Sequence, residues 1–252
     1  GLHGGVGEDG TVQRILDRVG IPYVGSNPQG SALSLNKIRA GEILHHAGIL
    51  MPQTIPFSAS QGIDSGEMAR QVFTQFGPPY IVKPSSEGAS HGVQLVATII
   101  ELPETLADVL ESFGSALVQE YVRGDEATVG VIEDFRGEDI YALPPVRIEL
   151  PDEAPFLHFD HHTEGSLKHL VPADFSHEEK AALVDAAKQA HRALGLSHYS
   201  RADFIVTKRG PYLLEVNSLP GLHEHASFPH MLESVGSSLK DFLGHAVGLA
   251  RR

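Results

Sequence analysis

The chain has 252 residues, 41% of them hydrophobic, a formal net charge of −13 and no cysteine. That length can bury a substantial core and hold two or three subdomains, and the acidic balance argues against nucleic acid or an anionic membrane as partner, since both need basic surface. The lack of cysteine excludes a disulfide framework and a thiol nucleophile, no apolar run approaches a membrane span, and the whole suits a soluble protein of the cytoplasm.

In chain order, Gly1 to Gly10 is a glycine-rich loop that opens a helix, in which Val12, Ile15, Leu16 and Val19 follow helical spacing and Gly20 supplies the stop. Such a loop ordinarily follows a strand and none precedes it, so the chain reads as lacking an N-terminal segment. Ile21 to Gly30 reads as a short extended piece and a turn-rich loop. Ser31 to Ala47 reads as one helix with Lys37 near its middle, and Met51-Pro52 opens a new section. Tyr80-Ile81-Val82 is a buried-strand pattern ending at Lys83-Pro84, followed by the Gly/Ser loop Ser85 to Gly92 and a strand from Val93 to Val96. A lysine there suits a phosphate clamp, its ammonium supplying charge and the loop N–H groups directional donors. An ordinary hairpin with a snorkelling lysine is the other reading. The order GxxxxGK[ST] is absent, so this is not a Walker A loop.

Leu106, Val109, Leu110 and Phe113 mark a helix with one apolar face, and Ala116 to Val122 a strand. Ala127 to Ile132, a turn at Arg136-Gly137 and Ile140 to Leu150 follow as antiparallel strands. The succession is α+β rather than a regular βαβ repeat. Pro155 to Pro172 carries His158, His161, His162 and His169 and reads as a substrate-covering loop before a zinc site, which needs tight spacing on a fixed frame. Ser176-His177-Glu178-Glu179 is a capping box opening a helix with Leu183, Ala186, Ala187, Ala190 and Leu194 on one face. A final helix covers roughly Ser237 to Ala250.

Two further runs, Arg201 to Thr207 and Pro211 to Asn217, flank Lys208-Arg209-Gly210 and predict a hairpin with a three-residue loop and Gly210 in the left-handed position. That register sets Asp203 opposite Glu215 and Arg201 opposite Asn217, all four on one face. Directly opposed residues hold their Cβ atoms about 4.5–5.5 Å apart, where like charges repel. A divalent cation of the Mg2+ type, its shell completed by phosphate oxygens, would answer that repulsion. Exposure of both carboxylates to water is the other reading.

Taken together, Gly7-Glu8-Asp9-Gly10 after His3, Val82-Lys83-Pro84 before Glu87-Gly88-x-Ser90-x-Gly92, Gly124-x-Glu126, Arg201-x-Asp203 and Glu215-x-Asn217-x-x-Pro220-Gly221 resemble, in this order, the D-alanine:D-alanine ligases of the ATP-grasp superfamily. The likeness runs from residue 2 to about residue 245. It implies an α+β / α/β ATP-grasp fold with an incomplete N-terminal α/β subdomain. Residues 1–36 would be the remnant of the substrate-binding subdomain, 37–123 the central subdomain and 124–252 the C-terminal one with the metal site. By resemblance, Lys37 and Lys83 reach ATP phosphates, Glu87, Gly88 and Ser90 belong to the flap over the triphosphate, and Gln119, Glu120, Tyr121 and Val122 form the strand holding adenine. Glu126 takes the ribose, and Asp203, Glu215 and Asn217 take Mg2+ (or Mn2+). Arg201 is implied to stabilise charge on the acyl phosphate, with His3 and Ser90 counted beside it as catalytic. His3, Glu8, His162, Gly221, Ala226 and Ser227 border the substrates, which are small amino acids. The implied reaction is amide synthesis: the first carboxylate takes the γ-phosphoryl group and the second amine displaces it. A homodimer is compatible with the resemblance.

The sequence also departs from the family. The N-terminal strand segment with its glutamate for the first substrate's ammonium has no counterpart, Ala89 replaces a loop serine, His162-Thr163 stands for Lys-Tyr, and Ala226-Ser227 for Ser-Leu. The nucleotide half matches better than the amino-acid half. A ligase for another amine or hydroxy acid and a nucleotide-binding protein without ligase activity are the alternatives.

Overall fold

A computed structural model of the chain describes residues 4–86, 91–149 and 168–251. Three helices come first, α1 (Thr11–Val19), α2 (Pro28–Leu35) and α3 (Lys37–His46). The expected single helix over 31–47 is thus broken. Asn36, at ψ 92°, leaves the helical region and its side chain accepts the Arg39 N–H, so it starts a new helix with Lys37 at the first position. The apolar stripe of α1 is also not buried as its spacing predicts: Ile15 and Val19 are 55% and 62% exposed.

The first sheet holds β1 (Thr54–Ser58), β2 (Tyr80–Lys83), β3 (Gln94–Val96) and β4 (Ser115–Glu120), in the order β1-β4-β2-β3 and antiparallel throughout. Side chains alternate across a strand, so Tyr80 and Val82 enter the core with Met68, Val72, Leu106 and Val109 of helices α4 (Ser65–Gln75) and α5 (Leu102–Phe113). Ile81 and Lys83 are thereby sent to the opposite face. β1 and α4 have no counterpart in the sequence reading, β1 being five residues long and interrupted by Pro56.

The second sheet comprises β5 (Asp125–Phe135), β6 (Glu138–Ala142), β7 (Val146–Glu149), β8 (Lys168–Leu170), β9 (Tyr199–Thr207) and β10 (Gly210–Asn217). Its order is β10-β9-β5-β7-β8, with β6 also paired to β5. One face, with Ala127, Val129, Ala202, Phe204 and Val206, packs on Leu183, Ala187 and Ala190 of α6 (His177–Ala193) and on Ala40 and Leu44 of α3. The capping box of α6 forms as read: Ser176 Oγ accepts the Glu179 N–H at 3.2 Å and Glu179 accepts the Ser176 N–H at 2.8 Å. On the other face, α7 (Ser227–Ser234) and α8 (Leu239–Ala250) cover Ile132 and Tyr199 through Phe228, Met231 and Phe242. The short α7 has no counterpart in the sequence reading.

The β9–β10 hairpin has the expected pairing for a different reason. The chain reverses over Lys208-Arg209 alone, with Thr207 opposite Gly210; carried on unbroken, that register would set Glu215 against Ala202. A bulge between Leu213 and Glu215 inserts one residue and restores Glu215 to Asp203 and Asn217 to Arg201. Leu213 and Val216 consequently both join the core under α6. Among the described residues no helix is long and apolar enough to cross a membrane.

Candidate active site

A cavity of about 780 Å3 opens between the sheets, walled by Ile81 and Lys83 of β2 and by the part of β5, β9 and β10 that α7 and α8 leave open. Arg201 and Asp203 lie two apart on β9 and so on one face. The guanidinium forks onto the carboxylate, Nε to Oδ1 at 2.9 Å and Nη2 to Oδ2 at 2.8 Å. Thr128, directly opposite on β5 and fully buried, donates its hydroxyl to Asp203 Oδ1 at 2.6 Å. On the neighbouring strand, Lys37 Nζ stands 3.2 Å from Glu215 Oε2. The repulsion expected between the opposed carboxylates is therefore met inside the chain by two cations.

These charges set each other's titration. Burial pushes the Glu215 carboxyl up, but Lys37, Lys83 and Arg201 outweigh it and hold the group at about 2. Burial pulls the Lys83 ammonium down to about 8, with Lys37 adding to the effect and Glu215 opposing it. For Arg201, burial works against the charge, yet Asp203, Glu215 and Glu8 together raise its pKa.

The surrounding elements explain why the side chains stand where they do. Lys83 Nζ donates to Gln119 Oε1 at 3.2 Å, and Gln119 Nε2 donates to Thr54 Oγ1 at 2.9 Å, so the glutamine is committed to holding the lysine. Glu120, at the end of β4, and Tyr121 and Val122 beyond it carry the cavity wall on, fixed by backbone bonds of Glu120 N–H to Gln53 O and Tyr121 N–H to Pro79 O. Lys37 is anchored through its own N–H to Ser85 O at 3.0 Å, and Ser34 Oγ ties α2 to Val216 O, between Glu215 and Asn217. Glu126, on the same face of β5 as Thr128, also borders the cavity. Before α1, Asp9 Oδ1 accepts the Thr11 N–H at 2.8 Å and serves the helix end, which leaves Glu8 of the same motif on the cavity wall.

At the far side, Gly221, Ala226 and Ser227 line the cavity, with Ala226 and Ser227 buried and the His223 ring folded over Gly221. His91, His169 and His225 line it too. Every described candidate thus borders one cavity, while His3, Glu87, Gly88, Ser90 and His162 lie outside the described residues. Thr128 was missed, although its place two residues after Glu126 puts it on the same strand face. Among the described residues no three His, Cys, Asp or Glu side chains gather as a metal cluster. The oxygen set on offer is two carboxylates and the Asn217 amide, donors that suit a hard dication, and a carboxylate has about four lone-pair sites, more than one lysine uses.

Residues 43–247 match the family model described as the D-ala D-ala ligase C-terminus. The chain is also 35% identical to the D-alanine–D-alanine ligase of Maridesulfovibrio salexigens, an alignment covering 100% of this chain and 79% of that one. The chain belongs to the D-alanine–D-alanine ligase family. Two solved structures bear out the family's ATP-grasp fold. A D-alanine–D-alanine ligase from Bacillus anthracis, complexed with ATP, is 29% identical with a TM-score of 0.84 and covers 100% of this chain and 77% of its own. The VanG D-Ala:D-Ser ligase of Enterococcus faecalis is 28% identical with a TM-score of 0.84, covering 99% and 71%. These two relatives share this architecture while the acceptors they are named for, D-alanine and D-serine, differ.

Proposed function

We propose that this protein joins two D-alanines at the expense of ATP, for the synthesis of peptidoglycan precursors. The observation that carries the reading is the single cavity in which Arg201, Asp203, Glu215 and Asn217 of the hairpin face Lys37 and Lys83. When bound, ATP would supply the phosphoryl group that activates the first carboxylate, and Mg2+ or Mn2+ would offset the charge on its phosphates. Asp203, Glu215 and Asn217 would hold the metal. Lys37 and Lys83 would meet phosphate oxygens, and Glu120, Tyr121, Val122 and Glu126 the nucleoside, with Gln119 holding Lys83 in place. Arg201, kept charged by its neighbours, would stabilise negative charge developing on the reacting carboxyl carbon's oxygens. Glu8 would face the first amino acid, and Gly221, Ala226 and Ser227 the second. Catalysis then consists of positioning and charge compensation, with no protein nucleophile.

The division into 1–36, 37–123 and 124–252 is proposed with one amendment: α3 moves with the C-terminal part, because Ala40 and Leu44 pack under the second sheet. Action in the cytoplasm follows from the proposed substrates. The test is phosphate release from ATP with a panel of amino acids and hydroxy acids. Release that depends on D-alanine alone supports the reading, and nucleotide binding without any release overturns it. A second reading, an acceptor other than D-alanine, has Ala226 in its favour, and release only with D-alanine plus another amine would select it.

A further inference from the structure

Glu8 reaches the cavity on a unit that must itself be held in place. Gln13 Nε2 donates to Gly7 O at 2.9 Å, which fastens the Glu8 turn to α1. A Cβ on Gly10 would lie 2.2 Å from Pro28 O, so the turn and α2 are in close backbone contact. Residues 4–36 thus join Glu8 to α1 and α2 through these contacts. α2 is tied to β10 by the Ser34 Oγ bond to Val216 O, and the stretch before α2 is held by one short loop: the Ser197 N–H donates to Ser26 Oγ at 3.1 Å and the Gly25 N–H donates to His198 Nδ1 at 3.0 Å. That loop enters β9 at Tyr199, two residues before Arg201, and Glu8 lies within electrostatic reach of Arg201.

We propose that His198 is a positioning residue for the first amino acid, latching the 4–36 unit, and with it Glu8, to the loop that leads into Arg201. The inference rests on the ligase reading for its substrate, but the latch itself is a matter of geometry. A backbone N–H can only donate, so Nδ1 must be the unprotonated nitrogen of a neutral ring. His198 itself sits at φ +65°, a conformation that histidine and asparagine tolerate better than most residues. Its N–H donates to Glu133 Oε2 at 2.6 Å and its carbonyl accepts the Glu133 N–H at 2.9 Å. The titratable groups facing it are Glu133 of β5, His191 of α6 and His245 of α8. His191 Nε2 lies 3.4 Å from Glu133 Oε1 and its Nδ1 2.8 Å from Ser200 Oγ, and His245 Nε2 is 2.7 Å from Glu133 O.

The sign of the pH effect follows. Burial lowers the His198 pKa below its ordinary 6.5, Glu133 opposing and His191 and His245 adding. The neutral, latching form is thus complete above about pH 6.5, and the latch is lost as pH falls through the lower folded value.

The test compares the wild type with His198→Asn and His198→Ala between pH 5 and 8. Asparagine accepts the same φ and offers a carbonyl oxygen that does not titrate. In the wild type, the KM for D-alanine should rise about five-fold at acid pH, the weight of one hydrogen bond, relative to the KM for ATP. His198→Asn should flatten that rise, and His198→Ala should show the raised KM at every pH. Hydrogen exchange at the Gly25 amide reads the latch without any turnover. At pH 8 protection should be lost in His198→Ala and kept in the wild type. Retained protection in the alanine variant, or an acid profile shared by wild type and His198→Asn, overturns the proposal. Absence of D-alanine-dependent phosphate release in every form would instead strike the ligase reading, and exchange would still decide the latch.

Discussion

Glu215 is the carboxylate on which Lys37, Lys83 and Arg201 converge, and its low pKa keeps it charged at any physiological pH. Glu215→Gln keeps the shape and removes the charge, leaving those cations without their shared anion and the dication site without one of its two carboxylates. Nucleotide-dependent turnover is expected to fall by at least about a hundred-fold, as when one preorganised electrostatic group is lost, while circular dichroism stays native. Undiminished turnover would remove Glu215 from the reaction. Ala226 offers a gain-of-function counterpart, because a hydroxyl donated to a charged carboxylate is worth about 1.5–3 kcal/mol. Ala226→Ser should lower the acceptor KM for D-alanine by roughly ten-fold or more. Equal KM values in both forms would show that Ser227, its neighbour on the wall, or another group already performs this task. Residues such as Asp203 and Glu215 were legible because opposed like charges stand out in a strand pattern. Thr128 was not, since a threonine in a strand has the ordinary explanation of β propensity.

At the level of elements, the approach of β5 to β9 depends on Gly124. A Cβ there would lie 2.2 Å from Val206 O, a backbone atom of a central strand that cannot swing aside. Gly124→Ala is therefore expected to destabilise the fold by about 1–3 kcal/mol, the usual cost of overpacking, and to displace Glu126 two residues on. The measurement is urea unfolding together with the KM for ATP. Wild-type values for both would mean that the strand entrance has more freedom than its packing indicates. This gives the Gly124-x-Glu126 pair a physical division of labour, in which the glycine sets the strand spacing that brings the carboxylate to the cavity. The elements best read from sequence were α5, from its apolar periodicity, and α6, where periodicity and a capping box agree. β1 and α7 are short, and their periods are too brief to distinguish from loop, while α4 buries only Met68, Ala69 and Val72.

For the whole molecule, the decisive property is that one cavity is walled by two sheets, so a ligand that touches Lys83 on one and Glu215 on the other holds them together. ATP with Mg2+ should then raise the melting temperature. At a hundred times its dissociation constant a ligand of the native state adds about 2.7 kcal/mol, or roughly 5–10 °C for a chain of this size. A thermal scan with and without nucleotide measures it, and an unchanged midpoint at saturating ATP would contradict a nucleotide site between the sheets.

What the amino-acid sequence determined by itself was the kind of chemistry and its order along the chain. Alternation, capping and charge placement are local, and the order of motifs survives any uncertainty in packing. The cross-strand pairing of Asp203 with Glu215 was also foreseen, but through a three-residue loop that does not exist. Only the tertiary structure revealed the two-residue turn and the bulge after Leu213, because an inserted residue is absorbed where sheet and helix core both demand their partners. It alone decided that Lys37 and Arg201 compensate the two carboxylates, and that His198 fastens a segment 173 residues away. Such contacts depend on how distant strands and helices close on one another, and no local period in the chain encodes that distance.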